Sequence, residues 1–151
     1  MRICFDMDGT IADLYGVDGW LDMLRSEDAT PYRIADPMLN LNILARLLNR
    51  LQAIGFEIGI ISWLSKTPTA DYDTQVTDAK LYWLNKHLNS VHWDFVEIVS
   101  YGTDKNIVNT SSFDILFDDE IGNRENWNGI AYDEKNILKI LKNLLTNNSL
   151  N

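Results

Sequence analysis

Short apolar runs alternate along this chain with longer segments in which apolar residues recur every three or four positions. A short apolar run bounded by polar residues is typical of a buried strand, whereas the longer spacing is typical of an amphipathic helix. The runs that we interpret as strands are Ile3–Phe5, Ile58–Ile61, Phe95–Val99, Ile115–Phe117 and Gly129–Tyr132.

The helical spacing occurs in three segments. Their apolar positions are Leu44, Leu47, Leu48, Leu51 and Ile54 in the first, Val76, Ala79, Trp83, Leu84 and Leu88 in the second, and Ile137, Leu138, Leu141, Leu144 and Leu145 in the third. Gly55 follows the first segment and is a good helix stop. The Asn-rich end from Asn147 to Asn151 is expected to fray.

Strands that alternate with helices predict an α/β fold of the Rossmann-like kind, with three layers and helices on both faces of a parallel sheet. The sequence contains no repeat, low-complexity tract or linker, so residues 1–151 are expected to form a single domain. Ligands of such sheets bind beyond the C-terminal ends of the strands. The polar residues that follow each strand are therefore the ones to inspect.

Composition and net charge limit the kinds of molecule that this protein is expected to bind. A hydrophobic fraction of 46% suits one domain with a real core. The net charge of −9 argues against an extended nucleic-acid-binding surface, which needs clustered Lys and Arg. A small phosphorylated substrate stays compatible with this charge, because a bound cation reverses the local field.

The single cysteine and the absence of long apolar runs concern the compartment. Cys4 lies in the first predicted strand, and we interpret it as a buried, inert thiol. No apolar run approaches the roughly 18 residues that span a bilayer, and the N-terminal residues lack the basic and apolar regions of a signal peptide. We therefore expect a cytoplasmic protein without membrane contact.

The most informative polar segment is Asp6-Met7-Asp8-Gly9-Thr10, directly after the first predicted strand. Two carboxylates two residues apart suit phosphoryl transfer, because one can attack phosphorus while the other handles the proton. Together they can also hold a hard cation. The alternative is a turn, since Asp-Gly often closes a strand. A turn, however, rarely needs two acids followed by Thr.

A second acidic cluster, Asp118-Asp119, follows the fourth predicted strand. A solvated loop would explain this pair on its own. With Asp6 and Asp8 at the neighbouring strand end we favour a metal site, because carboxylates in one crevice repel each other unless a cation is present. Mg²⁺ is the expected cofactor, since it accepts few protein ligands and keeps waters that a phosphate can replace.

Phosphate binding also requires a hydroxyl group and a cation. Ser62 ends the second predicted strand and can hydrogen-bond a phosphate oxygen, although a turn or capping Ser is an equally good interpretation. Lys105, between the third and fourth strands, is our choice for the cation. Lys80 is the alternative, but it lies in a helical segment where a solvated surface Lys is the better interpretation. Lys66, soon after Ser62, could reach an incoming substrate.

Aromatic residues near the expected mouth of the site offer a second kind of contact. Tyr15, Trp20 and Trp63 could stack against a base. Arg124 follows the acidic cluster, where it could shape the rim of a pocket or belong to a packed loop around Trp127.

In this order the motifs resemble those of the haloacid dehalogenase-like hydrolase superfamily. The D-x-D-x-T motif matches Asp6, Asp8 and Thr10, the strand-ending Ser or Thr matches Ser62, the Lys matches Lys105 best, and the paired acids match Asp118 and Asp119. The extension from Asp6 to Asp13 also looks like the 5′(3′)-deoxyribonucleotidase branch. The overall pattern is similar to small phage and prophage members of the superfamily.

The resemblance implies a mechanism. Asp6 would attack the phosphoryl group and form an aspartyl-phosphate, while Asp8 would protonate the leaving oxygen and then activate water. Thr10, Ser62 and Lys105 would bind the phosphate. Mg²⁺ would be held by Asp6, the backbone carbonyl of Asp8, and Asp118 or Asp119, and the sequence leaves the choice between the last two open.

One departure from the superfamily pattern concerns the substrate. Members that act on small metabolites often carry a sizeable cap, whereas here there is room only for a small helical insert at about 13–38, around Trp20–Arg25. The resemblance therefore implies a phosphatase with a minimal cap and an open site, acting on a nucleotide or a nucleic-acid terminal phosphate. The alternative is a non-catalytic phosphate- or nucleotide-binding module of the same fold.

Overall fold

The secondary structure follows the alternation of the sequence. The structure, a computed structural model, describes residues 1–66 and 69–148. In chain order the strands are β1 (Arg2–Phe5), β2 (Ala12–Asp13), β3 (Asp36–Pro37), β4 (Glu57–Trp63), β5 (Phe95–Val99), β6 (Ile115–Phe117) and β7 (Ile130–Tyr132). The helices are α1 (Trp20–Arg25), α2 (Thr30–Ile34), α3 (Leu41–Ala53), α4 (Ala70–His87), α5 (Ile121–Asn126) and α6 (Ile137–Asn148).

Five of the strands form one parallel sheet in the order β5-β4-β1-β6-β7. β1 is the central strand, with Ile3 paired to Ile58 of β4 on one side and to Ile115 of β6 on the other. All five predicted strands are present, and the predicted Rossmann-like α/β fold is confirmed.

The larger part of the core lies on one face of the sheet. There β1 places Ile3 and Phe5 against the apolar sides of α3, α4 and α6. Leu44, Leu47, Leu48 and Leu51 of the predicted stripe are buried, but Ile54 lies just past the end of α3 and is exposed. Gly55 follows it with a φ of 103°. A left-handed residue at this place ends a helix, and glycine adopts it without strain.

The opposite face of the sheet has a thinner cover. Cys4, fully buried as predicted, packs there with Ile61 and Leu116 of the neighbouring strands. Val108, in a single 3₁₀ turn over Lys105–Val108, and Trp127, after α5, cover these residues. This thin layer brings the loops around Lys105 and α5 directly to the end of the sheet.

The segment between β1 and α3 is a small insert. β2 and β3 pair antiparallel at its base, and α1 and α2 lie between them. Helix α4 holds this insert, since Trp83 Nε1 donates a hydrogen bond to Ala35 O over 2.7 Å and Tyr72 Oη donates to Asp28 O over 3.4 Å.

Two findings concern the ends and surface of the chain. Asn147 and Asn148 belong to the last turn of α6, and the rest of the Asn-rich segment expected to fray lies outside the described residues. Within residues 1–66 and 69–148, no helix is both long enough and apolar enough to cross a membrane.

Candidate active site

The acidic and polar residues singled out by the sequence meet at one edge of the sheet. Asp6 follows the central strand β1, Ser62 lies near the end of β4, and Asp118 follows β6. Because β1 lies between β4 and β6 and all three run parallel, their C-terminal ends lie side by side. The site is therefore centred on Asp6.

A tight turn after β1 presents the first motif. Met7 O accepts hydrogen bonds from the backbone N–H groups of Thr10, Ile11 and Ala12. Gly9 has a φ of 75°, and a Cβ at this position would overlap the carboxylate of Asp119. Glycine is thus required here for two reasons, its backbone conformation and the close approach of the acidic loop.

Lys105 binds the nucleophile candidate, as the sequence suggested. Its ammonium donates to Asp6 Oδ1 over 2.9 Å and to Asp118 Oδ2 over 2.6 Å, with only 4% of the side chain exposed. Burial lowers the pKa of this lysine, but the two carboxylates outweigh burial and raise it overall. Lys105 is therefore a cation fixed between β1 and β6.

Lys80 is not the solvated surface lysine that we expected. It is 1% exposed, and its ammonium donates to Asp8 Oδ2 over 2.7 Å and to Ser62 Oγ over 2.8 Å. A third hydrogen bond of 2.7 Å goes to the backbone carbonyl of Trp63. Helix α4 thus reaches into the site, and the site contains two lysines, one for each aspartate of the first motif.

Asp6, Asp118 and Asp119 form a group suited to a metal ion. Each offers one carboxylate oxygen, and these atoms all lie within 4.8 Å of one another. Asp118 Oδ2 accepts from Lys105 and from Asn123 Nδ2, and its Oδ1 accepts from the N–H of Glu120. Three carboxylate oxygens converging in a crevice are a donor set for a hard divalent cation.

The proximity of these carboxylates and their burial shift the pKa values of the cluster. Burial, followed by the charge of Asp6, raises the pKa of Asp118 to about 6 and that of Asp119 to about 7. Without a cation the cluster therefore holds protons at pH values where ordinary carboxyls are ionised. The side chain of Asp8, turned towards Lys80, does not belong to the cluster, and burial raises its pKa too.

The two hydroxyl residues, Thr10 and Ser62, form hydrogen bonds with other groups of the site. The Thr10 hydroxyl accepts from the N–H of Asp119 over 3.1 Å and lies 3.4 Å from Asp6 Oδ2 and 3.3 Å from Asp119 Oδ1. It thereby joins the two acidic segments, and its contact with a phosphate stays a prediction. Ser62 Oγ accepts from Lys80 and the residue is fully buried, so its contact with a phosphate also stays a prediction.

A cavity of about 430 Å³ opens next to the carboxylates. Asp6, Asp8 and Lys105 line its inner end, and the residues that line the rest include Leu14, Tyr15, Trp20, Leu21, Leu24, Arg25, Tyr32, Trp63, Leu64, Lys66 and Tyr101. Helix α1 of the insert, although small, forms one side. Two pairs of aromatic rings lie along the walls: Tyr15 contacts Trp20, and Trp63 contacts Tyr101.

The loop after β6 is held by residues whose role the sequence did not reveal. Arg124 Nη1 donates to the carbonyl oxygens of Asp118 and Asp119 over 2.9 and 2.7 Å, so it fixes the acidic segment rather than the pocket rim. Asn123, which we had not singled out, donates to Asp118 Oδ2 over 3.1 Å. Its position one turn into α5, directly after the acids, was the available signal.

Comparisons with known proteins extend the description of the fold. The structure is similar to that of a D,D-heptose 1,7-bisphosphate phosphatase from Burkholderia thailandensis, with a TM-score of 0.55 and 11% sequence identity. The alignment covers 96% of this chain and 98% of that one. No protein-family model matches the sequence, and no curated protein matches it. At this identity the likeness concerns the fold alone, and it agrees with the Rossmann-like α/β fold that the sequence predicted.

Proposed function

We propose that this protein is a metal-dependent phosphatase that forms a covalent phosphoryl intermediate on Asp6. The observation that carries the proposal is the different environment of two aspartates in one turn. Asp6 lies with the acidic cluster and Lys105, whereas Asp8 is bound by Lys80. Carboxyl groups in different environments can take different roles, one as nucleophile and the other as acid and base.

Each residue then has a defined task. An oxygen of Asp6 bonds to phosphorus while the bond from phosphorus to the leaving oxygen breaks, and the proton of Asp8 moves to that oxygen. Asp8, now a carboxylate, takes a proton from the water that attacks the aspartyl-phosphate, which releases inorganic phosphate and restores Asp6. Lys105 uses two of its three N–H groups on Asp6 and Asp118 within the described chain, so the third can bind a phosphate oxygen.

The donor set fits Mg²⁺, which we propose as the cofactor. Asp6, Asp118 and Asp119 provide carboxylate oxygens, and the backbone carbonyl of Asp8 would complete the protein ligands. When bound, the ion neutralises charge on the phosphoryl group that Asp6 attacks. Asp119 is the freer of the paired acids, because both oxygens of Asp118 already accept hydrogen bonds.

The cavity supports a nucleotide as the substrate. Its volume of about 430 Å³ suits a small molecule, and the rings of Trp20 and Trp63 on its walls offer faces on which a base can stack. Exposed Lys66, whose ammonium lies 5.4 Å from the centre of the Tyr101 ring, adds a cation at the mouth. The acidic surface as a whole favours a mononucleotide over a long nucleic acid.

The similar fold of a sugar-phosphate phosphatase agrees with hydrolysis of phosphate monoesters in general. The test is a screen of phosphorylated compounds with Mg²⁺, including deoxynucleoside monophosphates and oligonucleotides with a terminal phosphate. We expect release of inorganic phosphate from a mononucleotide, prevented by EDTA. Binding of these compounds without phosphate release would instead favour the non-catalytic module.

A further inference from the structure

Lys80 is a buried charge to which the proposed reaction gives no contact with the substrate. Its ammonium has three N–H donors, and the protein uses all three, on Asp8 Oδ2, Ser62 Oγ and the Trp63 carbonyl. Lys105, by contrast, donates to two oxygens within the described chain. A phosphate oxygen can therefore be bound by Lys105, whereas Lys80 could bind one only by giving up a protein partner.

The position of Lys80 in α4 keeps the ammonium in place. It lies in the middle of this 18-residue helix, one turn after Val76 and one turn before Trp83, which are both fully buried. The ring of Tyr32, from the insert, lies 5.1 Å from the ammonium. A side chain packed in this way has little rotamer freedom left to lose, so it can fix the groups that it binds.

We propose that Lys80 is a positioning residue of this reaction, which holds the carboxyl group of Asp8 in the orientation from which its proton reaches the leaving oxygen. The inference rests on the proposed phosphatase function. Because Lys80 holds Oδ2, the proton is carried on Oδ1. When phosphorus becomes bonded to Asp6 and the leaving oxygen takes this proton, the carboxylate that remains on Asp8 lies 2.7 Å from a fixed ammonium.

The chemistry of the leaving group separates this role from phosphate binding. A basic leaving oxygen needs the proton of Asp8, whereas p-nitrophenolate departs without it. We therefore compare kcat/KM for phenyl phosphate and p-nitrophenyl phosphate in the wild type and in Lys80→Met, with Mg²⁺ present. General acid catalysis contributes about 10²-fold or more to such reactions. We expect kcat/KM to fall at least about tenfold further for phenyl phosphate than for p-nitrophenyl phosphate.

Two matched variants complete the experiment. Lys86→Met removes the same charge from an exposed position of the same helix, and it should change neither rate. Lys105→Met should lower both rates by a similar factor, because Lys105 faces the nucleophile and the phosphate. If Lys80→Met does not fold, as judged by circular dichroism, Lys80→Gln is measured in the same way, since its amide can still bond one of the three oxygens.

Each outcome decides the matter. A selective loss with phenyl phosphate in the Lys80 variant supports the positioning role. An equal loss with both substrates, or no loss, overturns it while leaving the phosphatase function intact. Absence of turnover by the wild type on both aryl phosphates and on the nucleotides of the screen overturns the phosphatase function and this inference together.

Discussion

Asp6 and Asp8 are two residues apart in the sequence but belong to different electrostatic environments. Asp6 shares a crevice with two further aspartates and with Lys105, whereas the carboxylate of Asp8 is bound by Lys80. In a continuing strand, residues two apart would point to the same side. The tight turn that follows β1 ends this alternation, and the carboxylate of Asp8 meets Lys80 of α4 instead of the acidic cluster. Two chemically identical residues thereby acquire separate tasks.

Replacing Asp6, the proposed nucleophile, tests the proposed covalent step. We expect Asp6→Asn to abolish phosphate release while the protein still folds, because an amide is a far weaker nucleophile than a carboxylate. Circular dichroism checks the fold and a phosphate-release assay checks the activity. Substantial turnover by Asp6→Asn would remove the aspartyl-phosphate from the mechanism.

Gly9 is constrained both by its backbone conformation and by the close approach of the Asp119 carboxylate. We expect Gly9→Ala to destabilise the protein by about 1 kcal/mol or more, because its φ of 75° disfavours any side chain. The new Cβ would also displace the Asp119 carboxylate, so Mg²⁺ should bind less tightly. Urea unfolding and magnesium titration measure the two effects.

The control for this change is Gly122→Ala in α5. Nothing lies within 4 Å of a Cβ built there, and alanine favours helices. An equal loss of stability in both variants would show that the turn after β1 is less constrained than its geometry indicates.

At the scale of elements, α4 connects the insert to the edge of the sheet where the candidate active site lies. Its residues Tyr72 and Trp83 hydrogen-bond the backbone of the insert, and Lys80 lies between them in the sequence. One helix therefore contacts both the insert, which forms a wall of the cavity, and the carboxylate of Asp8. Substitutions in α4 should therefore alter the candidate active site even where the substituted residue contacts no substrate.

Trp83 offers a test of this connection. We expect Trp83→Phe to destabilise the protein by about 1–3 kcal/mol, because it leaves the buried Ala35 carbonyl without its donor. The KM for substrate should rise as the insert loosens. Tyr82→Phe, a change at the exposed neighbouring residue, should alter neither quantity. Unchanged stability in Trp83→Phe would mean that the insert is held by other contacts.

The sequence predicted the existence of α4 but not the place of Lys80, although the signal was present. Lys80 is four residues after Val76 and three before Trp83, so it occupies the apolar stripe and not the polar side of the helix. A lysine at such a buried position requires hydrogen-bond acceptors for its ammonium group. Those acceptors, Asp8 and Ser62, come from the turn after β1 and from β4, and periodicity within one helix carries no information on them.

At the scale of the whole molecule, the sequence predicted the strands of the sheet and the place of the insert with its helix Trp20–Arg25, but not the other elements of the insert. Each strand of the sheet contains an apolar run, interrupted by Gly59 in β4 and by Glu97 in the edge strand β5, because parallel strands buried on both faces need no alternation. The insert contains helices of five and six residues and strands of two residues, which are too short to show a period. The fold of the insert depends on contacts with α4. The local sequence pattern therefore predicts where the insert lies but not how its short elements are arranged.

The acidic cluster makes the stability of the whole molecule depend on pH and on metal. Burial and the charge of Asp6 raise the pKa of Asp118 to about 6 and of Asp119 to about 7, from an ordinary 3.8. Between about pH 4 and 7 the folded state binds protons that the unfolded chain has lost. The free energy of unfolding of the metal-free protein should therefore fall as the pH rises through this window.

Thermal melts in EDTA and in millimolar Mg²⁺, at pH 5.5 and pH 8, test this expectation. We expect the melting temperature in EDTA to be lower at pH 8, and Mg²⁺ to raise it most there, because the ion binds the ionised carboxylates of the folded state. Asp119→Asn should reduce both responses, whereas Asp78→Asn, at an exposed position of α4, should not. Identical melting in EDTA and Mg²⁺ would count against a metal site.

The central place of β1 in the sheet also governs when the protein can fold. This strand pairs with β4 and β6, whose residues 57–63 and 115–117 are made much later during synthesis. Contacts so distant in sequence form slowly, and the apolar edges of β1 stay unpaired on the ribosome until they do. A nascent chain that ends before β6 therefore exposes an aggregation-prone edge of β1. It also lacks Asp118 and Asp119, so the acidic cluster is completed only late in synthesis.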